Sequence, residues 1–227
     1  GFETAVDKAT EAIECAHTEA QGVPNGIGIV KLMGRESGFI AAQATLSLKE
    51  VNFVLIPEAC FRLHGEGGLL PALEERLAGR GHAVIVVAEG AGQHLLQKSA
   101  GTDASGNPVL GDISTLLKNE ISAYLKERGV SFAIKVIDPS YIIRSVPANA
   151  NDRVYCGFLG QHAVHAAMAG RTDMVVAKLL DRFVHLPLEL VTTKRRKLNI
   201  HSDLWRAVLE STGQGTLAGM LPAKENG

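Results

Sequence analysis

The sequence has few of the features that mark extracellular, membrane-bound or nucleic-acid-binding proteins. It contains only three cysteines in 227 residues, and Cys15, Cys60 and Cys156 match neither zinc-ligand nor disulfide spacing, which predicts reduced thiols. No apolar stretch reaches transmembrane length and no signal peptide opens the chain, so we expect a cytoplasmic protein with no membrane partner. Aromatic residues are scarce at 5% and the formal charge is −1, which argues against a nucleic-acid partner.

The single basic run, at residues 194–197, has no interleaved aromatic residues, and we interpret it as a solvated loop or helix edge. Apolar residues make up 46% of the chain and glycines number 24, enough for a sizeable core in a loop-rich protein. The chain begins with Gly1 rather than Met, which suggests a fragment or a processed product.

Apolar periodicity predicts strands that alternate with helices. Near-continuous apolar runs predict buried strands at 26–33, 51–56, 82–88 and 131–137. Helical periodicity is found at 3–20, 37–48, 69–77, 112–128, 152–169 and 202–211, whereas 173–180 and 182–188 are interpreted as short extended segments. Residue 151 or 152 is the expected cap of the fifth helix. The fold class is therefore predicted to be α/β, with a Rossmann-like doubly wound parallel sheet flanked by helices.

Polar side chains follow three of these strands. Because the carboxyl ends of parallel strands converge on one crevice, we expect these side chains to meet there. Arginine forks bind phosphate oxygens and a carboxylate accepts hydrogen bonds from sugar hydroxyls, which favours a phosphate or polyol ligand. The candidate residues are Met33, Gly34, Arg35, Glu89, Tyr141 and Arg144.

Each candidate has a plainer interpretation. Arg144 could pair with Asp138 or Asp152, Glu89 could act as a helix cap, and Met33 could serve core packing. His162 and His165 have a spacing that suits a metal ion, but no third ligand stands nearby, so we expect packing histidines and no metal site.

Residues 28–41, 86–93 and 137–144 together resemble 6-phosphofructokinases, most closely the long-chain ATP-dependent subgroup of plants and trypanosome-like protists. Residues 103–107 and 147–170 continue the resemblance, which reaches about Thr212. Several separate motifs in the right order make it specific.

The resemblance implies that Met33, Gly34, Arg35, Glu89, Tyr141 and Arg144 hold fructose 6-phosphate. It assigns no catalytic residue to this chain, apart from a role for Arg35 in stabilising charge on the transferring phosphoryl group. Bacterial relatives lend two arginines to the sugar phosphate across a subunit boundary. The matching positions here are Gly26, where the contact is lost, and Lys135, which keeps a positive charge without the planar fork.

The phosphate-donor loop of that family, of the Gly-Gly-Asp-Gly type, is absent from the sequence, as is the segment that carries the catalytic base. The resemblance therefore implies the carboxyl-terminal, acceptor half of the enzyme, inactive alone, with Mg²⁺ and ATP bound mainly by the missing half. The implied organisation is a sugar-phosphate-binding domain at 1–144, a segment at 145–212 that crosses back to the donor domain, and a tail at 213–227. A homotetramer is expected at full length.

Two alternatives stay open at this level. One is a pyrophosphate-dependent phosphofructokinase, since the residues that choose the donor lie in the absent loop. The other is a sugar-phosphate-binding module without catalysis. Absence of the donor domain further predicts exposed apolar side chains, such as Val154, Phe158 and Leu159, on the fifth helix.

Overall fold

The computed structural model of the chain describes residues 1–96, 101–102, 106–215 and 217. Most of the predicted tail and residues 103–105 lie outside the described residues. The chain divides into a smaller unit, Gly1–Thr4 with Val146–Arg196, and a larger unit, Ala5–Ser145 with Lys197–Gly227. None of the described helices has the length and apolar content that a bilayer-spanning helix needs.

Helices and strands alternate through the first 140 residues, as predicted. In chain order the elements are α1 (Phe2–Gln21), β1 (Gly26–Leu32), α2 (Phe39–Ser47), β2 (Phe53–Leu55), α3 (Leu69–Arg80), β3 (His82–Ala88), α4 (Ile113–Glu127), β4 (Ala133–Ile137), α5 (Ser140–Ser145), α6 (Ala150–Met168), β5 (Met174–Leu179), β6 (Arg182–Pro187), α7 (Leu188–Thr192) and α8 (Asp203–Thr212). A 3₁₀ turn, Gln93–Leu95, lies in the loop between β3 and α4.

The larger unit is built on a four-stranded parallel sheet in the order β2-β3-β1-β4. Leu32 pairs with Ala88, and Val30 pairs with Ile137. The carboxyl ends of β1, β3 and β4 therefore lie side by side at one edge of the sheet, which is where an open α/β sheet binds its ligands.

Apolar side chains of alternating strand positions pack on opposite faces of the sheet. On one face Val30 and Leu32 join a core with α1, α2 and α8, which includes Trp205. On the other face Ile27 and Ile29 join a core with α3 and α4. Helices therefore cover both faces, and the predicted doubly wound α/β fold is confirmed.

In the smaller unit, α6 is accompanied by an antiparallel hairpin of β5 and β6. Leu180 and Asp181 form its two-residue turn, both with positive φ, as a type I′ connection requires. Phe183 of β6 stacks on His162 of α6 with ring centroids 4.8 Å apart, so this histidine does serve packing.

The amino-terminal cap of α6 is Asn149, whose side chain accepts a hydrogen bond from the Asp152 amide at 2.9 Å. The prediction of residue 151 or 152 is therefore wrong. The Asp152 carboxylate is used elsewhere, because it is buried and accepts hydrogen bonds from the amide of Thr4, at 2.7 Å, and from its hydroxyl. As predicted, Val154 and Phe158 are exposed, whereas Leu159 is half-buried.

Two further predictions differ from the structure. Strand β2 is shorter than the predicted 51–56, and Asn52, just before it, bonds to Val84 of β3 through both its amide and its side-chain oxygen. The extended segment predicted at 182–188 ends at Pro187, because α7 begins at the next residue, Leu188. The basic run at 194–197 is an exposed loop, as predicted.

Candidate functional site

The chain turns sharply at Gly34, directly after β1. Gly34 has a φ of +151°, and a β-carbon there would lie 2.6 Å from the carbonyl oxygen of Ser37. Only glycine suits this position, and the turn directs Arg35 away from the strand. We call residues 33–35 together with Glu89 the corner.

Glu89 follows β3 and meets the end of β1 directly. Its carboxylate lies 3.5 Å from the amide of Gly34, and the amide of Gly90 donates to the Gly34 carbonyl at 3.1 Å. A β-carbon at Gly90 would overlap the Arg35 carbonyl oxygen and lie 2.6 Å from its carbonyl carbon. The two strand ends therefore touch backbone to backbone, and the prediction that Arg35 and Glu89 meet is matched by the geometry.

Gln93 fixes the segment behind Glu89. Its amide nitrogen donates to the carbonyls of Glu89 and Gly111, both at 3.1 Å, and its oxygen accepts from the Gly111 amide at 3.0 Å. One side chain thus joins the start and the end of the long loop between β3 and α4. The same loop contacts Arg35, whose guanidinium donates to the Pro108 carbonyl.

Tyr141 and Arg144 lie on α5, just beyond β4. Both side chains are exposed, Tyr141 by 82%, and among the described residues neither forms a hydrogen bond or ion pair. The pairing of Arg144 with Asp138 that the sequence left open is not formed, because Asp138 pairs with Lys31 at 3.0 Å. Both side chains are therefore available to a ligand at the carboxyl edge.

Lys135 lies apart from the corner. It pairs in register with Gly28, four residues before the end of β1, or about 13 Å along the strand. Its ammonium lies 3.6 Å from the Glu19 carboxylate. The matching position of the other bacterial arginine, Gly26, has no room for a side chain, because a β-carbon would overlap the Ala20 carbonyl oxygen and lie 2.8 Å from the carbonyl carbon.

Three residues that support the corner escaped prediction: Lys31, Glu58 and Gln93. The Glu58 carboxylate is buried and accepts from the amide of Gly38 at 3.0 Å and from that of Leu198 at 2.7 Å. It thereby anchors the turn between the corner and α2. Only Gly38 lies near the corner in sequence, so no spacing pattern pointed to Glu58.

Comparison with known proteins gives the family of the chain. The sequence profile of the family described as "Phosphofructokinase" matches residues 1–167. The chain belongs to the phosphofructokinase family. The predicted family is thus confirmed, over nearly three quarters of the chain.

Similar proteins of this family include the plant and trypanosome enzymes that the sequence predicted, and bacterial enzymes as well. The chain is 50% identical to the ATP-dependent 6-phosphofructokinase of Amycolatopsis methanolica, with 99% of this chain and 50% of that protein aligned. It is 46% identical to ATP-dependent 6-phosphofructokinase 7 of Arabidopsis thaliana, over 96% of this chain and 46% of that protein. The ATP-dependent 6-phosphofructokinase of Trypanosoma brucei brucei is 43% identical, with 93% of this chain and 44% of that protein aligned. The chain spans about half the length of these relatives.

Solved phosphofructokinase structures share the fold. The pyrophosphate-dependent phosphofructokinase of Nitrosospira multiformis matches 98% of this chain and 57% of that chain with a TM-score of 0.65 and 19% identity. The pyrophosphate-dependent phosphofructokinase of Marinobacter aquaeolei matches 99% of this chain and 57% of that chain, with a TM-score of 0.63 and 20% identity. At these identities the likeness concerns the fold alone.

Proposed function

We propose that this chain is the acceptor half of an ATP-dependent 6-phosphofructokinase, which transfers the γ-phosphoryl group of ATP to the 1-hydroxyl of fructose 6-phosphate in glycolysis. The observation that carries the proposal is that the corner and α5 both follow strands whose carboxyl ends lie side by side at one edge of the sheet. The corner supplies an arginine and a carboxylate, and the exposed side chains of Arg144 and Tyr141 on α5 supply a second arginine and a phenol.

The proposed roles follow from the chemistry of each group. Arginine forks suit phosphate oxygens, so Arg144 on the exposed helix binds the sugar phosphate, with Tyr141 as a hydrogen-bonding neighbour. Glu89 accepts hydrogen bonds from sugar hydroxyls. Met33 and Gly34 shape the pocket, and Arg35 binds the fructose 6-phosphate and also stabilises charge on the transferring phosphoryl group.

Lys135 has a different proposed role. Because it lies on β4 well away from the corner, it reaches a sugar phosphate only across a subunit boundary. This role requires a homo-oligomer, for which we propose the tetramer that the family resemblance implies. The cytoplasm is the proposed location.

The donor side is proposed to lie mainly in the half that relatives contain beyond this chain. Within the described ranges, no group of three or more His, Cys, Asp or Glu side chains could hold a metal ion. The Mg²⁺ that phosphoryl transfer from ATP needs, to neutralise charge on the phosphates, is proposed to be held mainly by that missing half. ATP is the favoured donor because the curated relatives named above are ATP-dependent.

Isothermal titration with fructose 6-phosphate tests the acceptor role. We expect the chain to bind fructose 6-phosphate and to bind fructose at least 10-fold more weakly, since the arginines meet the phosphate. Arg144→Ala and Glu89→Gln should each weaken binding by about 10-fold or more. The control Glu120→Gln, which removes a carboxylate of α4 that pairs with His64, should leave binding unchanged. Equal affinity for the sugar without its phosphate contradicts the proposal.

A donor assay on the whole gene product separates the remaining alternatives. Turnover of fructose 6-phosphate with ATP supports the proposal, and turnover with pyrophosphate alone contradicts the choice of donor. Binding of fructose 6-phosphate without turnover by either donor points instead to the sugar-phosphate-binding module.

A further inference from the structure

Lys31 is the one charged residue of β1, and its ammonium lies between two carboxylates. It is 3.0 Å from Asp138 and 3.4 Å from Asp112. The Lys31 side chain is 22% exposed, so this ion pair is only partly screened by solvent.

The two carboxylates belong to the segments that flank the corner. Asp112 caps α4, accepting from the amide of Ser114 at 3.1 Å. Asp138 directly follows β4. Its carboxylate accepts a hydrogen bond, at 3.0 Å, from the amide of Ser140, the first residue of α5. Lys31 therefore joins three pieces of chain at the carboxyl edge: the end of β1, the start of α4 and the turn into α5.

The helix α5 depends on such an anchor. A six-residue helix is far too short to be stable by itself. Of its six described residues only Ile143 is buried, while Tyr141 and Arg144 point into solvent. Its placement is therefore set by Ile143 on one side and by the Asp138 turn on the other.

We propose that Lys31 is a positioning residue of the fructose 6-phosphate site, which holds α5 so that Arg144 and Tyr141 face the corner. This inference rests on the proposed function. Without Lys31, two carboxylates that lie within about 6 Å of each other repel, and the turn that carries α5 is driven away from the start of α4.

The charges at this junction agree with such a role. Burial lowers the pKa of Lys31, but Asp138 and Asp112 raise it more, so its pKa lies above the ordinary value. Burial raises the pKa of Asp138, yet Ser140 and Lys31 bring it below the usual range. The trio carries a net charge of −1, which makes Lys31 unsuited to bind the phosphate itself.

A double-mutant cycle of Lys31→Met with Arg144→Ala tests the proposal by fructose 6-phosphate titration. We expect Lys31→Met to weaken binding about 10- to 100-fold, and Arg144→Ala to cost much less in the Lys31→Met background than in the original chain. Lys31→Arg should bind within about 3-fold of the original. Additive effects of the two substitutions overturn the proposal, because they show that Lys31 acts independently of Arg144.

Two further measurements separate the outcomes. Lys8→Met removes an exposed pair with Glu11 on α1 and should leave binding unchanged. Hydrogen exchange at residues 140–145 should rise in Lys31→Met, or in Asp138→Asn if Lys31→Met does not fold, with no change in β3. Unchanged exchange in α5 overturns the proposal. If the original chain binds no fructose 6-phosphate, the proposed function fails, while the exchange result still decides whether Lys31 holds α5.

Discussion

Gly90 offers the sharpest test of the corner, because its backbone packs directly on that of Arg35. No φ strain is involved, since Gly90 is not among the residues with positive φ. The only effect of Gly90→Ala is therefore to insert one methyl group between the ends of β1 and β3. We expect this variant to lose fructose 6-phosphate binding while it retains the fold.

The size of the effect follows from the distances. The new β-carbon would overlap the Arg35 carbonyl oxygen and lie 2.6 Å from its carbon and 3.0 Å from the Gly34 carbonyl oxygen. All of these are backbone atoms, so relief needs a movement of about 1 Å of one strand end, at a cost of about 1–3 kcal/mol in the free energy of unfolding. A misplacement of that size can weaken binding by about 100-fold when Arg35 is part of the site.

Gly79→Ala is the matched control. It adds the same methyl group near the end of α3, where a β-carbon meets nothing within 4 Å. In a helix this change should raise the free energy of unfolding by about 0.5–1 kcal/mol, because alanine loses less backbone freedom on folding than glycine. Binding should stay within 2-fold of the original chain.

Urea unfolding and isothermal titration with fructose 6-phosphate, measured on both variants, give the decisive comparison. We expect the free energy of unfolding to fall in Gly90→Ala and to rise in Gly79→Ala. Affinity for fructose 6-phosphate should fall in Gly90→Ala alone. If Gly90→Ala binds fructose 6-phosphate as tightly as Gly79→Ala does, the position of Arg35 does not matter to the ligand, and the proposed site is refuted.

Two other predictions concern buried carboxylates. Glu58→Gln places an amide group against the backbone amides of Gly38 and Leu198. This change should lower the free energy of unfolding, measured in urea, by about 1–3 kcal/mol. If the free energy of unfolding falls no further than in Glu120→Gln, Glu58 does not anchor this turn. Burial raises the pKa of Asp152, but hydrogen bonds from Thr4 lower it by more, so the folded-state pKa lies below the ordinary value of 3.8. The ionised Asp152 carboxylate therefore stabilises the fold above the unfolded-state pKa, and this stability is lost as the pH falls through the folded-state pKa. Asp152→Asn should therefore lose less stability than the original chain between about pH 4.5 and pH 2, and equal acid sensitivity in urea unfolding would contradict this account.

The sheet could be predicted because its strands are buried on both faces, so that each appears as a continuous apolar run. Strand β3 has the predicted bounds, and β1 differs by one residue. The corner was also predictable in outline, since polar residues that directly follow parallel strands meet at one edge of the sheet. Arg35 and Glu89 meet there for this reason.

The supporting residues could not be predicted, because their partners are distant in sequence. Glu58 bonds to Leu198, which lies 140 residues later, and Lys31 bonds to Asp112, 81 residues later. The prediction of the α6 cap was wrong for a different reason. Asn149, Asn151 and Asp152 all have capping side chains, and only the hydrogen bonds from Thr4 show that Asp152 is occupied elsewhere.

The candidate site unites two parts that differ in how firmly they are held. The corner is fixed by glycine contacts between backbones, by the Gln93 hydrogen bonds and by the buried Glu58. The helix α5, in contrast, carries the side chains of Tyr141 and Arg144 exposed and is anchored by Ile143 and the Lys31 ion pair. On the proposed assignment the sugar hydroxyls meet the corner and the phosphate meets α5. Because Lys31 holds the turn into α5, the affinity for the sugar phosphate is then linked to the one charged side chain of β1.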